Sequence, residues 1–341
     1  MIFALLLFFQ SLSEQGARAM KENRFTDAER IYRQLVKEEP NEPRLRMNLG
    51  LALFSAAKYP EASIEFEKFL KAVPAPGPGH FMLGVSRLKL RKPCEAISAL
   101  ESARKWQASS QVVLELGDAY FGCKRYAQAA AAFEALGDTP KGLQGAGLSY
   151  ARLGKQQEAS DAFAKLEKLP PSAELHELLA EVRTLENRHG DAVKELEEAV
   201  RLAPKDERLR RLYARALWRA GQYEEARKVY ASLVARWSND PEFNYEYGDT
   251  LVRIEGVEAG LPLLEKAVKA APELIAARGA LGKALLQIGR TKESIPHLDA
   301  AAQQDATVLL PLSRAYKAIG RLQEAARIEA EYKQRVSESQ N

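Results

Sequence analysis

An all-α solenoid of about ten helix–turn–helix hairpins is the fold this sequence predicts, and three features predict it. Small residues recur at a near-constant period: Gly16, Gly50, Gly84, Gly117, Gly147, Ala180, Ala214, Gly248, Gly282 and Ser313 lie 34, 34, 33, 30, 33, 34, 34, 34 and 31 residues apart. A second series, twelve residues further on, keeps the same beat: Ala28, Ala62, Ala96, Ala129, Ala159, Ala192, Ala226, Gly260, Ser294 and Ala325. Between them the apolar residues are spaced three and four apart, which is helical and not extended. A small residue at a fixed place on each of two helices means that the pair touches closely in every repeat. One hairpin cannot bury its apolar face alone, so neighbours must stack.

The hairpins run over residues 9–42, 43–76, 77–109, 110–139, 140–172, 173–206, 207–240, 241–274, 275–305 and 306–339, a single solenoid over 11–341. The second shows the logic. Leu49-Gly50 sits in a first amphipathic segment from Pro43 to about Ala57, and Lys58-Tyr59 fills the turn. Ala62, Phe66 and Phe69 share one face of the second segment, which Pro74 ends. Two places interrupt the beat. Pro74, Ala75, Pro76, Gly77, Pro78 and Gly79 are expected to be non-helical and to stiffen the junction with the third hairpin. The fourth hairpin is the shortest and ends at Gly137-Asp138-Thr139-Pro140; the next helix then carries Gly142 and Gly145, each expected to cost about 0.5–1 kcal/mol.

These residues resemble the tetratricopeptide repeat family, whose pattern is Trp-x2-Leu-Gly-x2-Tyr, then Ala-x3-Phe, then Pro. The pattern reads here as Leu116-Gly117 with Tyr120, Ala129 and Phe133, and as Gly147 with Tyr150, Ala159, Phe163 and Pro171. Leu281-Gly282 with Leu298, Ala192 with Pro204, and Ala226 with Tyr230 fit as well. The Trp position is never Trp: Leu12, Arg46, His80, Val113, Leu143, His176, Arg210, Asn244, Arg278 and Leu309 occupy it. The closing proline is present as Pro40, Pro74, Pro171, Pro204 and Pro272.

The resemblance implies a right-handed superhelix whose first helices line a concave groove. The groove positions then fall to Met47, Leu51, Phe81, Val85, Leu114 and Leu148 in the N-terminal hairpins. In the C-terminal ones they fall to Glu177, Glu181, Arg208, Arg211, Arg215, Glu242, Tyr245, Asp249, Lys283 and Arg314. The apolar set suits either partner anchors or packing against the chain itself. Arg208, Arg211 and Arg215, spaced three and four apart, form a basic strip suited to an acidic segment or to pairing with Glu177 and Glu181. The family's carboxylate clamp is not matched, because Asn48 has Ser13 and Ala17 where partners would stand.

Composition sets bounds on function. With 50 Lys and Arg against 46 Asp and Glu, the net charge is +4, and no basic block points to nucleic acid. His80, His176, His189 and His297 are isolated from one another, and no phosphate loop, dinucleotide fingerprint or nucleophile elbow is present. Paired glutamates such as Glu197-Glu198 and Glu224-Glu225 read as solvated helix faces. No catalytic residue, metal or cofactor is therefore expected. Cys94 and Cys123 read either as two small buried residues or, in an exported chain, as a disulfide.

Residues 1–10 stand apart. Ile2 to Phe9 is an uncharged apolar run, too short to span a bilayer and of signal-peptide length, or else an apolar cap on the solenoid. Ser11-Leu12-Ser13 and Ala17-Arg18-Ala19 both offer small residues for cleavage. The expectation is an exported, periplasmic or membrane-associated protein, the alternative a cytoplasmic one. The expected function is a non-catalytic scaffold that binds peptide segments or partner proteins along the groove. The alternative is a recognition or assembly subunit of an envelope, polysaccharide or secretion complex whose catalytic chain is separate.

Overall fold

The computed structural model describes residues 2–73 and 77–340, with side chains from Leu12 to Glu338. Met1, the side chains of the N-terminal apolar run, and Pro74, Ala75 and Pro76 lie outside the described residues. Among the described residues there is no strand. The chain divides into two compact units, residues 1–170 and 171–341.

The first unit holds five hairpins: α1 (Ile2–Lys21) with α2 (Phe25–Glu38), α3 (Pro43–Ser55) with α4 (Tyr59–Ala72), α5 (Gly77–Lys89) with α6 (Pro93–Trp106), α7 (Ser110–Gly122) with α8 (Tyr126–Glu134), and α9 (Pro140–Arg152) with α10 (Gln156–Leu166). The second holds five more: α11 (Ala173–Leu185) with α12 (His189–Leu202), α13 (Glu207–Arg219) with α14 (Tyr223–Trp237), α15 (Pro241–Ile254) with α16 (Val257–Ala270), α17 (Ile275–Gln287) with α18 (Thr291–Ala302), and α19 (Leu309–Ala318) with α20 (Leu322–Gln340). Within each unit, every helix packs on the next.

The two helices of a hairpin begin differently. Several first helices start from side-chain caps: Ser109, Thr139, Ser172, Asp206 and Asp240 each accept an N–H from the first turn of their helix, whereas α17 follows Leu274 without one. Among the described residues, the second helices α2 to α18 have no such cap and leave directly from a tight turn. Each turn contains one residue in the left-handed region: Asn23, Ala57, Arg91, Lys124, Gly154, Asn187, Gly221, Gly256, Gly289 and Gly320. The residue closing the turn donates its N–H back five positions, as from Lys58 to the Leu53 carbonyl and from Arg125 to that of Tyr120. This is a helix-ending pattern that satisfies otherwise orphaned carbonyls.

The periodic small residues are where the two helices meet. The small residue of each first helix faces the residue sixteen positions later on the second. A Cβ on Gly50 would lie 2.5 Å from Phe66, one on Gly117 2.7 Å from Phe133, one on Gly147 2.4 Å from Phe163 and one on Gly282 2.7 Å from Leu298. Ala180 with Leu196 and Ala214 with Tyr230 do the same in the core of the second unit. In the last hairpin the contact becomes polar, Ser313 Oγ donating to Glu329 at 2.8 Å. The second small series is buried throughout, Ala28, Ala62, Ala96, Ala129, Ala226, Ser294 and Ala325 with no exposed surface.

Hairpins are joined to one another by tyrosines. Tyr120, Tyr150 and Tyr316 reach back from first helices to donate to Glu101 (2.5 Å), Glu134 (2.5 Å) and Asp299 (3.0 Å) on the preceding second helix. Burial and the Glu101 carboxylate push the Tyr120 phenol up to about 12. Cys94, in the first turn of α6, and Cys123, at the end of α7, form a disulfide with Cα atoms 5.0 Å apart. It closes a loop of about thirty residues, which contributes about 3–4 kcal/mol through the unfolded chain.

One local expectation is corrected. Gly77, Pro78 and Gly79 are helical, forming the first turn of α5, where a proline has no hydrogen bond to lose. Their glycines leave room for Trp106 and Phe69, which would lie 2.2 and 2.6 Å from added Cβ atoms. The glycines of α9 are likewise contact sites: Phe133 occupies the space beside Gly145, 2.5 Å from an added Cβ.

Gly260 is the tightest backbone approach of the second unit, because a Cβ there would lie 2.2 Å from the Gly248 carbonyl oxygen. Gly260→Ala is expected to destabilise by about 1–3 kcal/mol, measured by urea denaturation. Gly190, in α12 with open space around it, is the opposite control. There alanine removes backbone freedom from the unfolded chain and should stabilise slightly. A Gly260→Ala protein that unfolds like the parent would show that the helices are not packed through this register.

Candidate partner-binding groove

In each unit the first helices of successive hairpins also touch: α3 with α5, α5 with α7 and α7 with α9, then α13 with α15, α15 with α17 and α17 with α19. Among the described residues no pair of second helices approaches as closely. The first helices therefore form the tighter, inner wall of each unit, and the groove residues expected from the sequence lie on them.

In the first unit that wall is largely occupied by the chain itself. Met47 and Leu51 are half-buried against the core of the first two hairpins, and Phe81 and Leu114 against that of the third and fourth. Val85 is buried and Leu148 half-buried. Phe81 also helps line an apolar recess of about 210 Å³ with Pro78, Trp106 and Val112. Trp106, at 58 % exposure, is the largest exposed side chain there.

In the second unit the charged residues come together as a network across three hairpins. Arg208 bridges to Glu177, with its second nitrogen 2.7 Å from the other carboxylate oxygen. Arg211 grips both oxygens of Asp240 at 2.7 and 3.1 Å, and its guanidinium lies 4.4 Å above the Trp237 ring. Arg215 contacts Glu242 at 2.9 Å and Glu246 at 2.5 Å. The basic strip is therefore neutralised, once backward and twice forward. Asp240 also caps α15, so one carboxylate both starts the helix and ties it to α13.

Tyr245 and Asp249 extend this network. Trp218 Nε1 donates to Asp249 at 2.8 Å, Arg253 bridges to the same carboxylate at 2.7 Å, and the Tyr245 ring meets that of Trp218 edge-on at 5.6 Å. Burial pushes the Tyr245 phenol above its ordinary value, helped by Asp249. Lys283 donates to Thr307 at 3.0 Å, and Arg314 is exposed. Glu246 is the buried centre, at 4 % exposure. Burial pushes its carboxyl up while Arg215 pulls against it. Burial alone would lower Arg215, but Glu246 and Glu242 hold it above its ordinary value. Sequence reasoning missed Asp240, Glu246, Trp218 and Trp237. The one available signal was Asp240 directly before Pro241, which marks a cap.

Beside the network lies a cavity of about 290 Å³ between α11 and α13. Leu196, Leu212, Ala180 and Ala216 supply apolar lining, and Glu177, Glu181, Thr184, Arg215 and Arg219 the polar lining. Of the histidines, His176 faces Glu195 through Nδ1 at 2.7 Å in the repeat's Trp position. Among the described residues no group of three or more His, Cys, Asp and Glu is placed to hold a metal ion.

The network predicts unequal roles for the strip. Arg215→Glu would bury a second carboxylate beside Glu246 and is expected to cost about 3 kcal/mol or more, the scale of breaking a buried pair. Arg208→Glu, at a side chain 54 % exposed, is expected to cost less than about 1 kcal/mol. Urea denaturation of the two variants measures the difference, and equal losses would mean that Glu246 is not the centre of the network.

Tetratricopeptide repeat models match residues 14–75, 81–142, 145–207 and 245–308, and another such model matches residues 183–245. A solved tetratricopeptide repeat protein from Parabacteroides merdae ATCC 43184 is similar in fold, with a TM-score of 0.50 at 15% identity over 73% of this chain and 97% of that one. MamA from Desulfovibrio magneticus RS-1 is similar over 46% of this chain and 92% of that one, at 23% identity and a TM-score of 0.44. No curated protein matches the chain. Ten hairpins built on one close contact, matched by repeat models over most of their length, establish that the chain belongs to the tetratricopeptide repeat family, whose general role is that of a protein–protein interaction scaffold.

Proposed function

We propose that the protein is a non-catalytic, exported scaffold that holds a segment of a partner protein along the first-helix wall of its second unit. The observation that carries the binding half is the cavity between α11 and α13, with apolar side chains between charged ones. Small concave sites of this make-up take an apolar anchor and orient its polar flanks. The arginine strip braces this wall, since Arg211 and the cavity-lining Arg215 are held by Asp240, Glu242 and Glu246. Glu177, Glu181 and Arg219 supply the polar rim of the cavity, where the flanks of such an anchor would lie. A photo-crosslinking residue at Glu181 or Arg219, compared with one at Lys228 on the second helix α14, tests the reading in the native host. Crosslinks from the wall positions alone are expected; equal crosslinking from Lys228 would remove the wall as the binding surface.

The disulfide supports export, because such bonds persist in oxidising compartments. It also favours the reading in which the scaffold serves an assembly in the cell envelope. Of the two cleavage points, the one after Ser13 is compatible with the first hairpin. Cutting after Ala19 would remove Gly16, which faces Tyr32, and the fully buried Ala19 itself. Mass spectrometry of the native protein is expected to show a chain beginning at Glu14 with Cys94 and Cys123 oxidised. An intact Met1 in a reduced cytoplasmic pool would overturn export.

A further inference from the structure

Eight of the ten turns place a base directly before the second helix, and one of those eight lacks an acid to neutralise it. The residue before the second helix is basic in most hairpins, and an acid three positions later neutralises it. The pairs are Arg24 with Asp27, Lys92 with Glu95, Lys155 with Glu158, Arg188 with Asp191, Arg290 with Glu293 and Arg321 with Glu324. In the second hairpin Lys58 turns instead to Glu29. In the fourth, Arg125 keeps the base but the acid is replaced by Gln128. Arg125 is exposed and has no acidic partner among the described residues, and neither do its neighbours Lys124, Arg91 and Lys89.

The third and fourth turns are fastened together. The Cys94–Cys123 bond spans them, and an added Cβ on Gly122 would lie 2.9 Å from Pro93. The nearby acids are already engaged: Glu95 with Lys92, Glu101 with the Tyr120 hydroxyl, Glu115 with Gln111, and Asp118 also has a partner. Residues 87–125 carry eight Lys and Arg against four Asp and Glu, an excess equal to the net +4 of the whole chain.

The backbone adds a second, independent observation. Arg91 and Lys124 hold the left-handed position of their turns, at φ 58° and 60°. Glycine or asparagine fills that position in seven of the other turns and alanine in one, and none of those side chains is charged. A long cationic side chain there carries a conformational cost that glycine avoids, and strain of this kind concentrates at functional positions. It also projects the charge from the tip of the turn.

We propose that the paired third and fourth turns form a docking surface for an acidic protein segment, contacted through Lys89, Arg91, Lys124 and Arg125. The flanking turns are neutralised through Glu29 and Glu158, so the patch has the width of a chain segment and not the breadth of a headgroup surface. It lies on the turn edge and stands whether or not the cavity of the second unit binds anything.

The test uses the full-length oxidised protein and a fluorescein-labelled oligo-glutamate peptide, with its oligo-glutamine counterpart as reference. Binding is expected for the glutamate peptide only and to weaken steeply with added salt. Arg91→Glu, Lys124→Glu and Arg125→Glu combined should lower affinity about tenfold or more, with helicity by circular dichroism unchanged. Lys205→Glu with Lys228→Glu, exposed bases of the second unit, should leave it unchanged. Gln128→Glu, which restores the acid found at the other turns, should lower affinity a few-fold and decides the matter if the triple variant misfolds. The proposal is overturned if the control pair weakens binding equally or if Gln128→Glu has no effect. It is overturned equally if phosphatidylglycerol vesicles are bound and the peptide is not.

Discussion

The close approach of two helices at one small residue is the constraint from which the rest of the molecule follows. When glycine or alanine stands at the crossing, the ring or branched side chain sixteen residues later lies against bare backbone, as Phe66 does on Gly50 and Phe163 on Gly147. That contact fixes how far apart the helices sit and which faces remain for the neighbouring hairpins. A Cβ at most of these crossings would fall well inside van der Waals distance. The small residues are therefore a steric requirement rather than a compositional preference, and they keep the period visible after most other family positions have drifted.

The repeat was legible in the sequence for this reason. Excluded volume is strict, and Gly16, Gly50, Gly84 and Gly117 record it at a fixed interval. Turn positions were less legible, because Ala57, Arg91 and Lys124 adopt a backbone conformation that their side chains do not advertise. The candidate groove was legible only as a set of positions. That Arg208, Arg211 and Arg215 stand on one helix face followed from their spacing. That two of them are held by Asp240, Glu242 and Glu246 depends on a contact roughly thirty residues away in sequence, which spacing within one helix cannot reveal. Pro78 misled for a related reason: a proline forbids helix before it more strongly than within the first turn it starts.

The two units use different adhesives on their inner walls. In the first, Met47, Leu51, Phe81 and Val85 turn inward and hydrophobic burial does the joining. In the second, guanidinium, carboxylate and indole groups do it, and Arg211 is both paired with Asp240 and stacked on Trp237. A wall joined by apolar packing tolerates changes of salt and pH. A wall joined by ion pairs responds to both, although its buried centre at Glu246 is shielded from screening.

The covalent bond between the third and fourth hairpins has a mechanical consequence. A stack with contacts only between neighbours unravels under tension one hairpin at a time, each releasing its chain length to the pull. The bond between Cys94 and Cys123 withholds the residues between them from extension, about 100 Å of contour that no applied load releases while the bridge is oxidised. Tension transmitted along the first unit would thus lengthen the chain on either side of a knot that stays short, and would leave the third and fourth turns side by side after their helices had begun to open.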